Sequence, residues 1–305
     1  MAVNVSPWAS TGNRGYLDIK TLDPQQLFNA HKARVTADGG TIMNEASLLD
    51  EIKFLVNNGM WKYVTFYASP EWGLKFDTDG TSVLKMYGLG PTDFYSYDVG
   101  RDIKRPVTVN TSVTPPKLMI WVWTGGSLMR AEKLVTAQYS ADAPFLHSCI
   151  MDDTESSDEG GIAIVACRTG HVNSLVGMGV ARSTKNNLDN AFDHGAAIVY
   201  PATTTGSYIG FKKTPYVPNV KNAILLDPAR GTMASYAEGE LVATTTSPSG
   251  VLVDSSAEPM QMNIGPSNNL VSSWNSNFIC RGGVTRLRCL SFATPAQAVL
   301  ISKRG

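Results

Sequence analysis

The sequence predicts a mainly β protein, an antiparallel sandwich preceded by a short two-helix unit. Three observations predict it. Residues 23–59 carry two apolar patterns of helical period, each with its own start and stop signals. After Gly59 the chain turns to short β-branched and aromatic runs separated by turn residues, with no helical run beyond about two turns. No fixed period repeats, which excludes a solenoid or a propeller.

The helical unit comes first. Asp23 can cap free backbone N–H groups, Pro24 suits the first helical position, and Gln26 can return a bond to the cap. Leu27, Ala30, Arg34 and Val35 are then expected on one face, and Gly39-Gly40 ends the helix. Asn44 is a second N-cap. Leu48, Ile52, Leu55 and Val56 recur at helical spacing, and Asn58-Gly59 is a left-handed stop. Residues 61–67 (WKYVTFY) have the composition of a strand. Further strands are expected over 116–123, 162–168, 175–181, 196–200, 207–211, 222–226, 232–236, 240–245, 260–264 and 283–292, spaced as in a sandwich or barrel. Residues 1–22 form an irregular arm broken by Pro7, Gly12 and Gly15. Its Trp8 and Tyr16 are candidates for packing on the same domain or for anchoring to a neighbouring subunit. The expected organisation is an arm (1–22), a two-helix unit (23–59) and a β-sandwich domain (60–305).

Charge narrows the function classes. Lys and Arg number 26 and Asp and Glu number 26, so the chain has no long-range field to gather nucleic acid or an anionic membrane. The start, MAVNVSPWAST, has neither the basic residues nor the apolar run of a secretory signal. The longest apolar stretch, 118–123, is too short to cross a bilayer. A soluble protein kept in a cytoplasm until assembly or lysis is the expectation. Cys149, Cys167, Cys280 and Cys289 stand singly among apolar neighbours, which predicts buried thiols rather than a metal site.

Catalytic signals are thin. The histidines are His31, His147, His171 and His194, and no serine sits in a Gly-x-Ser-x-Gly elbow. His147-Ser148-Cys149 is the nearest thing to a nucleophile–base pair, but neighbours in a strand such as His147 and Ser148 point to opposite faces, and His31 reads as a packing or surface residue. Glu71, Asp77 and Asp79 beside Trp72 are the best candidates for a glycosidase pair, although 77–80 also reads as a turn with Trp72 packed under it. The acidic run 151–159 offers oxygen ligands for calcium without the spacing of a helix-flanked calcium loop, and a solvated loop explains it equally. Gly177-Met178-Gly179 lacks the third glycine of a phosphate loop. No cofactor and no metal is expected.

Binding remains. Rings stack on the apolar faces of sugars while amides fix hydroxyls, and Asn268, Asn269, Trp274 and Asn275 form the best such cluster. Packing of Trp274 as a plug at one end of the sandwich is the favoured reading of that residue. Trp121 and Trp123 share one face of a strand and are expected in the core or in a subunit interface.

Two stretches carry a resemblance. The opening, LFNAHKARVTADGGTIMNEASLLDEIKFLVNNGMW, is followed late in the chain by the strand 222–226, the hairpin at Glu238-Gly239 running into Leu241-Val242, the strand ending Ile264-Gly265, and the closing run 286–292. This order resembles tailed-bacteriophage virion proteins that have an N-terminal helical segment and a laminin G-like, concanavalin A-like jelly-roll sandwich. Glu238-Gly239 stands where that family has Asn-Gly, and 293–299 replaces its short acidic closing helix. The resemblance is weakest over 125–191. It implies a non-enzymatic structural component of a phage particle, on the tail or baseplate periphery, bound to other virion proteins as a homo-oligomer and able to bind a host-surface carbohydrate or receptor. A capsid decoration protein and a tail-associated glycan hydrolase are the alternatives. Loss of residues 1–22 should then abolish incorporation into the particle.

Overall fold

The computed structural model describes residues 22–98, 106–122, 126–133, 145–152, 161–168, 177–183, 196–199, 207–209, 221–227, 232–246, 260–264 and 280–304. Helices α1 (Pro24–Ala37) and α2 (Glu45–Asn57) open it. Asp23 accepts from the Gln25 N–H and Asn44 from the Ser47 N–H, so each cap satisfies a donor that the first turn leaves free. Gly39 and Gly59 take the positive φ that ends each helix. The buried face of α2 is as expected from its spacing. That of α1 is not: Phe28, His31 and Val35 are buried, while Ala30 and Arg34 face outward. The expected set is one step out of phase, because His31 fills a core position that its polarity conceals.

The strands are β1 (Val64–Ala68), β2 (Leu74–Phe76), β3 (Val83–Met86), β4 (Phe94–Asp98), β5 (Thr108–Asn110), β6 (Lys117–Val122), β7 (Gly126–Ala131), β8 (Phe145–Asp152), β9 (Gly161–Arg168), β10 (Gly177–Ser183), β11 (Ala196–Val199), β12 (Ser207–Ile209), β13 (Asn222–Asp227), β14 (Thr232–Ala237), β15 (Glu240–Thr246), β16 (Met260–Ile264) and β17 (Cys280–Ser291). Among the described residues, pairing is antiparallel apart from one parallel contact, Cys280 with Gly161. One ladder runs β15-β14-β13-β8-β17. A second runs β2-β3-β4-β7-β16-β9-β10-β11-β12. Strand β17 joins them by changing partner along its length: its start pairs with β6, which forms a hairpin with β7, and its end pairs with β1. The result is an antiparallel, jelly-roll-like sandwich.

Layering explains β1. All five of its residues are buried. Val64 and Tyr67 join the cluster that holds Phe28, Leu48, Ile52, Leu55, Leu146, Leu225, Leu290 and Ile301. On the opposite side Phe66 meets Phe94 edge-on at 6.2 Å. A strand covered on both faces reads as an unbroken apolar run. Trp61–Tyr63, expected to begin this strand, instead forms a single 3-10 turn.

The closing segment corrects another expectation. Residues 293–299 do not replace a helix; they start one, α3 (Pro295–Lys303), with Thr294 and Gln297 in a reciprocal capping box. Its Ala298 and Ile301 enter the same cluster as α1 and α2. The hairpin at Glu238-Gly239 forms as expected, with φ of 51° and 89° at the two turn positions.

Candidate functional site: a row of cations and tyrosines across the sheet

Residues far apart in sequence fall into one row by register. Lys75 on β2 pairs with Lys85 on β3, Lys85 with Tyr95 on β4, Tyr95 with Arg130 on β7, and Arg130 with Asn263 on β16. Paired residues share a face, so these five side chains leave the sheet on the same side at strand spacing, about 4.8 Å apart. Phe94 alternates inward to meet Phe66, which sends Tyr95 and Tyr97 outward. Tyr95 remains 39% exposed and Tyr97 37%, the accessible rings of this face.

Each end of the row is fixed differently. At the α1 end, Asp38 accepts from Lys75 Nζ at 2.9 Å, Lys85 Nζ at 2.8 Å and Tyr87 Oη at 2.9 Å. Those bonds, Lys85 first, hold the Asp38 carboxyl well below the usual carboxylate range. Arg34 Nη1 donates to both carboxylate oxygens of Asp93, which also pairs with Lys85 at 3.0 Å. Burial pushes the Asp93 carboxyl up, but Arg34 and its other donors bring it below its ordinary value. Lys85 also lies 5.1 Å from the Tyr95 ring centre. Lysine charge at this end is therefore matched by acid.

The β7 end is not matched. The Arg130 guanidinium carbon lies 3.5 Å from the centre of the Tyr97 ring, and Arg130 Nε donates to Asn263 Oδ1 at 3.3 Å. Asn263 is buried, so the amide that orients the guanidinium is itself fixed. No carboxylate among the described residues pairs with Arg130, and neither Nη donates to any of them. The arrangement is a flat, oriented cation beside two exposed rings.

The proposed glycosidase carboxylates are committed elsewhere. Glu71 is buried and accepts from Ser47 Oγ at 2.8 Å and Arg286 Nη2 at 2.9 Å. Trp72 is fully buried, stacks on Tyr67 at 5.9 Å and donates from Nε1 to Ser47 Oγ. Asp79 accepts from the Thr81 and Ser82 N–H groups and from the Ser82 hydroxyl, which hold its carboxyl at about 2 and close the turn. These groups build structure. His31 is a packing residue as expected: it is buried, its Nε2–H donates to the Trp72 carbonyl at 2.9 Å, and its Nδ1 accepts from Arg34. Cys289 lies buried in β17 as a thiol.

Asn268, Asn269, Trp274, Asn275, Trp8 and Tyr16 lie outside the described residues, as do Trp123 and the acidic run from 153 onward. None of the row appears among the sequence candidates. The alternation in Phe94-Tyr95-Ser96-Tyr97 was the available signal, but the register that adds Arg130 and Asn263 cannot be read locally.

No family model and no curated protein matches the sequence. Among solved structures the chain is similar to HCR/D-Sa-GBL1/C, at 9% identity and TM-score 0.46, covering 79% of this chain and 51% of that one. It is similar to the binding domain of botulinum neurotoxin DC in complex with SialylT, at 8% identity and TM-score 0.44, covering 79% and 51%. It also resembles the Ruminococcus gnavus IT-sialidase CBM40 bound to α2,6 sialyllactose, at 10% identity and TM-score 0.36, covering 53% and 84%. The chain spans about half the length of the first two.

Proposed function

We propose that this protein is a non-enzymatic binding component of a tailed-phage particle, which uses the outward face of β4 and β7 to hold a host-surface glycan. The observation that carries the binding role is the pair of exposed rings, Tyr95 and Tyr97, two residues apart on one strand beside the oriented Arg130 guanidinium. Two rings on one sheet face present a firm surface that sugar C–H groups can stack on, with polar edges at hand for hydroxyls. The strands beneath are held by paired ladders and by Phe94 against Phe66, so little ordering is left to binding. Candidate acids Glu71 and Asp79 are tied to arginine, serine and backbone partners, which supports holding rather than cleaving. The particle assignment rests on the resemblance of the helical opening and the late hairpin and strands.

Two experiments test these parts separately. Glycan-array binding by the full chain should be lost in the Tyr95→Ala/Tyr97→Ala double variant, with its melting temperature retained. Unchanged binding in that variant would move the site elsewhere. Gold-labelled antibodies on intact particles should mark the tail or baseplate periphery. Label spread over the head would favour capsid decoration, and sugar release from host polysaccharide would favour a hydrolase.

A further inference from the structure

We infer that the saccharide held at this face is an acidic one, with Arg130 taking its carboxylate or sulfate group; this rests on the glycan-binding reading above. The described arginine side chains divide into two kinds. Arg34 holds Asp93, Arg286 holds Glu71, Arg288 holds Glu51, and Arg304 holds both Asp50 and Glu51. Arg130 is the exception, with no acid partner among the described residues.

Its surroundings suit an anion from outside the chain. Stacking on Tyr97 at 3.5 Å holds the guanidinium plane, and the Nε bond to buried Asn263 holds its rotation about the stem. Among the described residues, none accepts from its Nη edge. A planar fork so fixed matches the two oxygens of a carboxylate or sulfate, and has already lost the freedom that binding would otherwise remove. The acids nearest along the row are occupied: Asp38 by Lys75 and Lys85, Asp93 by Arg34 and Lys85. An anion on Arg130 therefore displaces no ion pair of the row. A sugar ring attached to that anion would lie against Tyr95 and Tyr97, the exposed rings of this face. The rings argue for a saccharide rather than an acidic peptide.

The test compares matched neutral, carboxylated and sulfated oligosaccharides on a glycan array, with affinities taken by calorimetry on the full chain. Acidic sugars should bind at least ten-fold tighter than their neutral counterparts, with the preference shrinking as salt rises. Arg130→Gln should remove that preference, so that acidic and neutral sugars bind the variant equally. Arg130→Lys should recover only part of it, since a point charge lacks the fork. Comparing the carboxylated and sulfated arms assigns the anion. Equal binding of neutral and acidic sugars, or an acid preference that survives in Arg130→Gln, overturns the inference and leaves glycan binding standing. No saccharide binding by the wild-type chain overturns both. The salt dependence of the wild type is an independent readout should either variant fold poorly.

Discussion

Arg288 is fully enclosed in β17, and a bare guanidinium there would be costly; the chain surrounds it instead. Glu51 of α2 accepts from Arg288 Nε at 2.8 Å and from Arg304 Nε at 2.6 Å, Tyr67 Oη donates to the same carboxylate, and Arg288 Nη1 donates to the Arg304 carbonyl. Burial pushes the Glu51 carboxyl up, but the two arginines and Tyr67 overcome it and hold it at about 2. Replacing one partner of such a pair strands the other charge, so Glu51→Gln should cost about 3–5 kcal/mol in urea unfolding. An unchanged midpoint would refute the enclosure. His31 gives a pH signature. Burial first, then the Arg34 charge, lowers it from 6.5 to about 4. An unfolded chain takes up that proton near pH 6.5 and the folded chain does not, so stability is complete above 6.5 and declines as pH falls to about 4. The loss is about 3 kcal/mol at most. The wild type should therefore lose more stability across that window than His31→Gln, measured as the difference between their urea midpoints. From 4.5 downward the Glu51 contribution fades in the same sense, toward its folded value of about 2. The sequence marks His31 as a packing or surface residue without deciding between them, because neither the Trp72 carbonyl nor Arg34 can be assigned to it from local spacing.

Elements whose causes are local were the ones legible in advance. Asp23, Asn44, Gly39 and Gly59 signal helix ends through bonds made within a few residues, and the ends fall where they indicate. The closing helix has the same kind of signal in Thr294-Pro295-Ala296-Gln297, although it lacks the acidic residue of the helix in the family it resembles. Thr294→Ala should accordingly cost about 1 kcal/mol, read as a lowered urea midpoint. Strands β2, β3, β4, β7 and β5 were missed because they are short, or are set by partners distant in sequence. The link from β3 to β4 shows how such elements are held: a Cβ at Gly88 would collide with the Thr92 carbonyl oxygen, and one at Gly90 with that of Thr65. Backbone cannot give way as a side chain can. Gly88→Ala should cost about 2 kcal/mol or more and loosen the turn that delivers Asp93 to Arg34 and Lys85. Hydrogen exchange at Phe94 and Tyr95 would report it, and unchanged protection there would argue against the close approach.

Among the described residues, the helices and part of the sheet share a buried cluster that holds Phe28, Ile52, Leu146, Tyr236, Leu290 and Ile301. The fold class was legible because alternation and turn residues report strands. The site was not, because Lys75, Lys85, Tyr95, Arg130 and Asn263 are collected from five strands by register alone. If the proposed display on a particle holds, many copies multiply a weak single-site affinity, so release from an array should slow with valency while the monomer affinity stays fixed. The position of β17 carries a further consequence. The strand that bridges both ladders is assembled from residues 280–291, and the arginine that completes the α2 charge cluster is residue 304. On a translating ribosome, everything before these residues would wait without its central partner. Contacts spanning more than two hundred positions close slowly. Nascent chains stalled before residue 280 should thus remain open to proteolysis, and folding should follow the emergence of residues 280–304 as one late, concerted event.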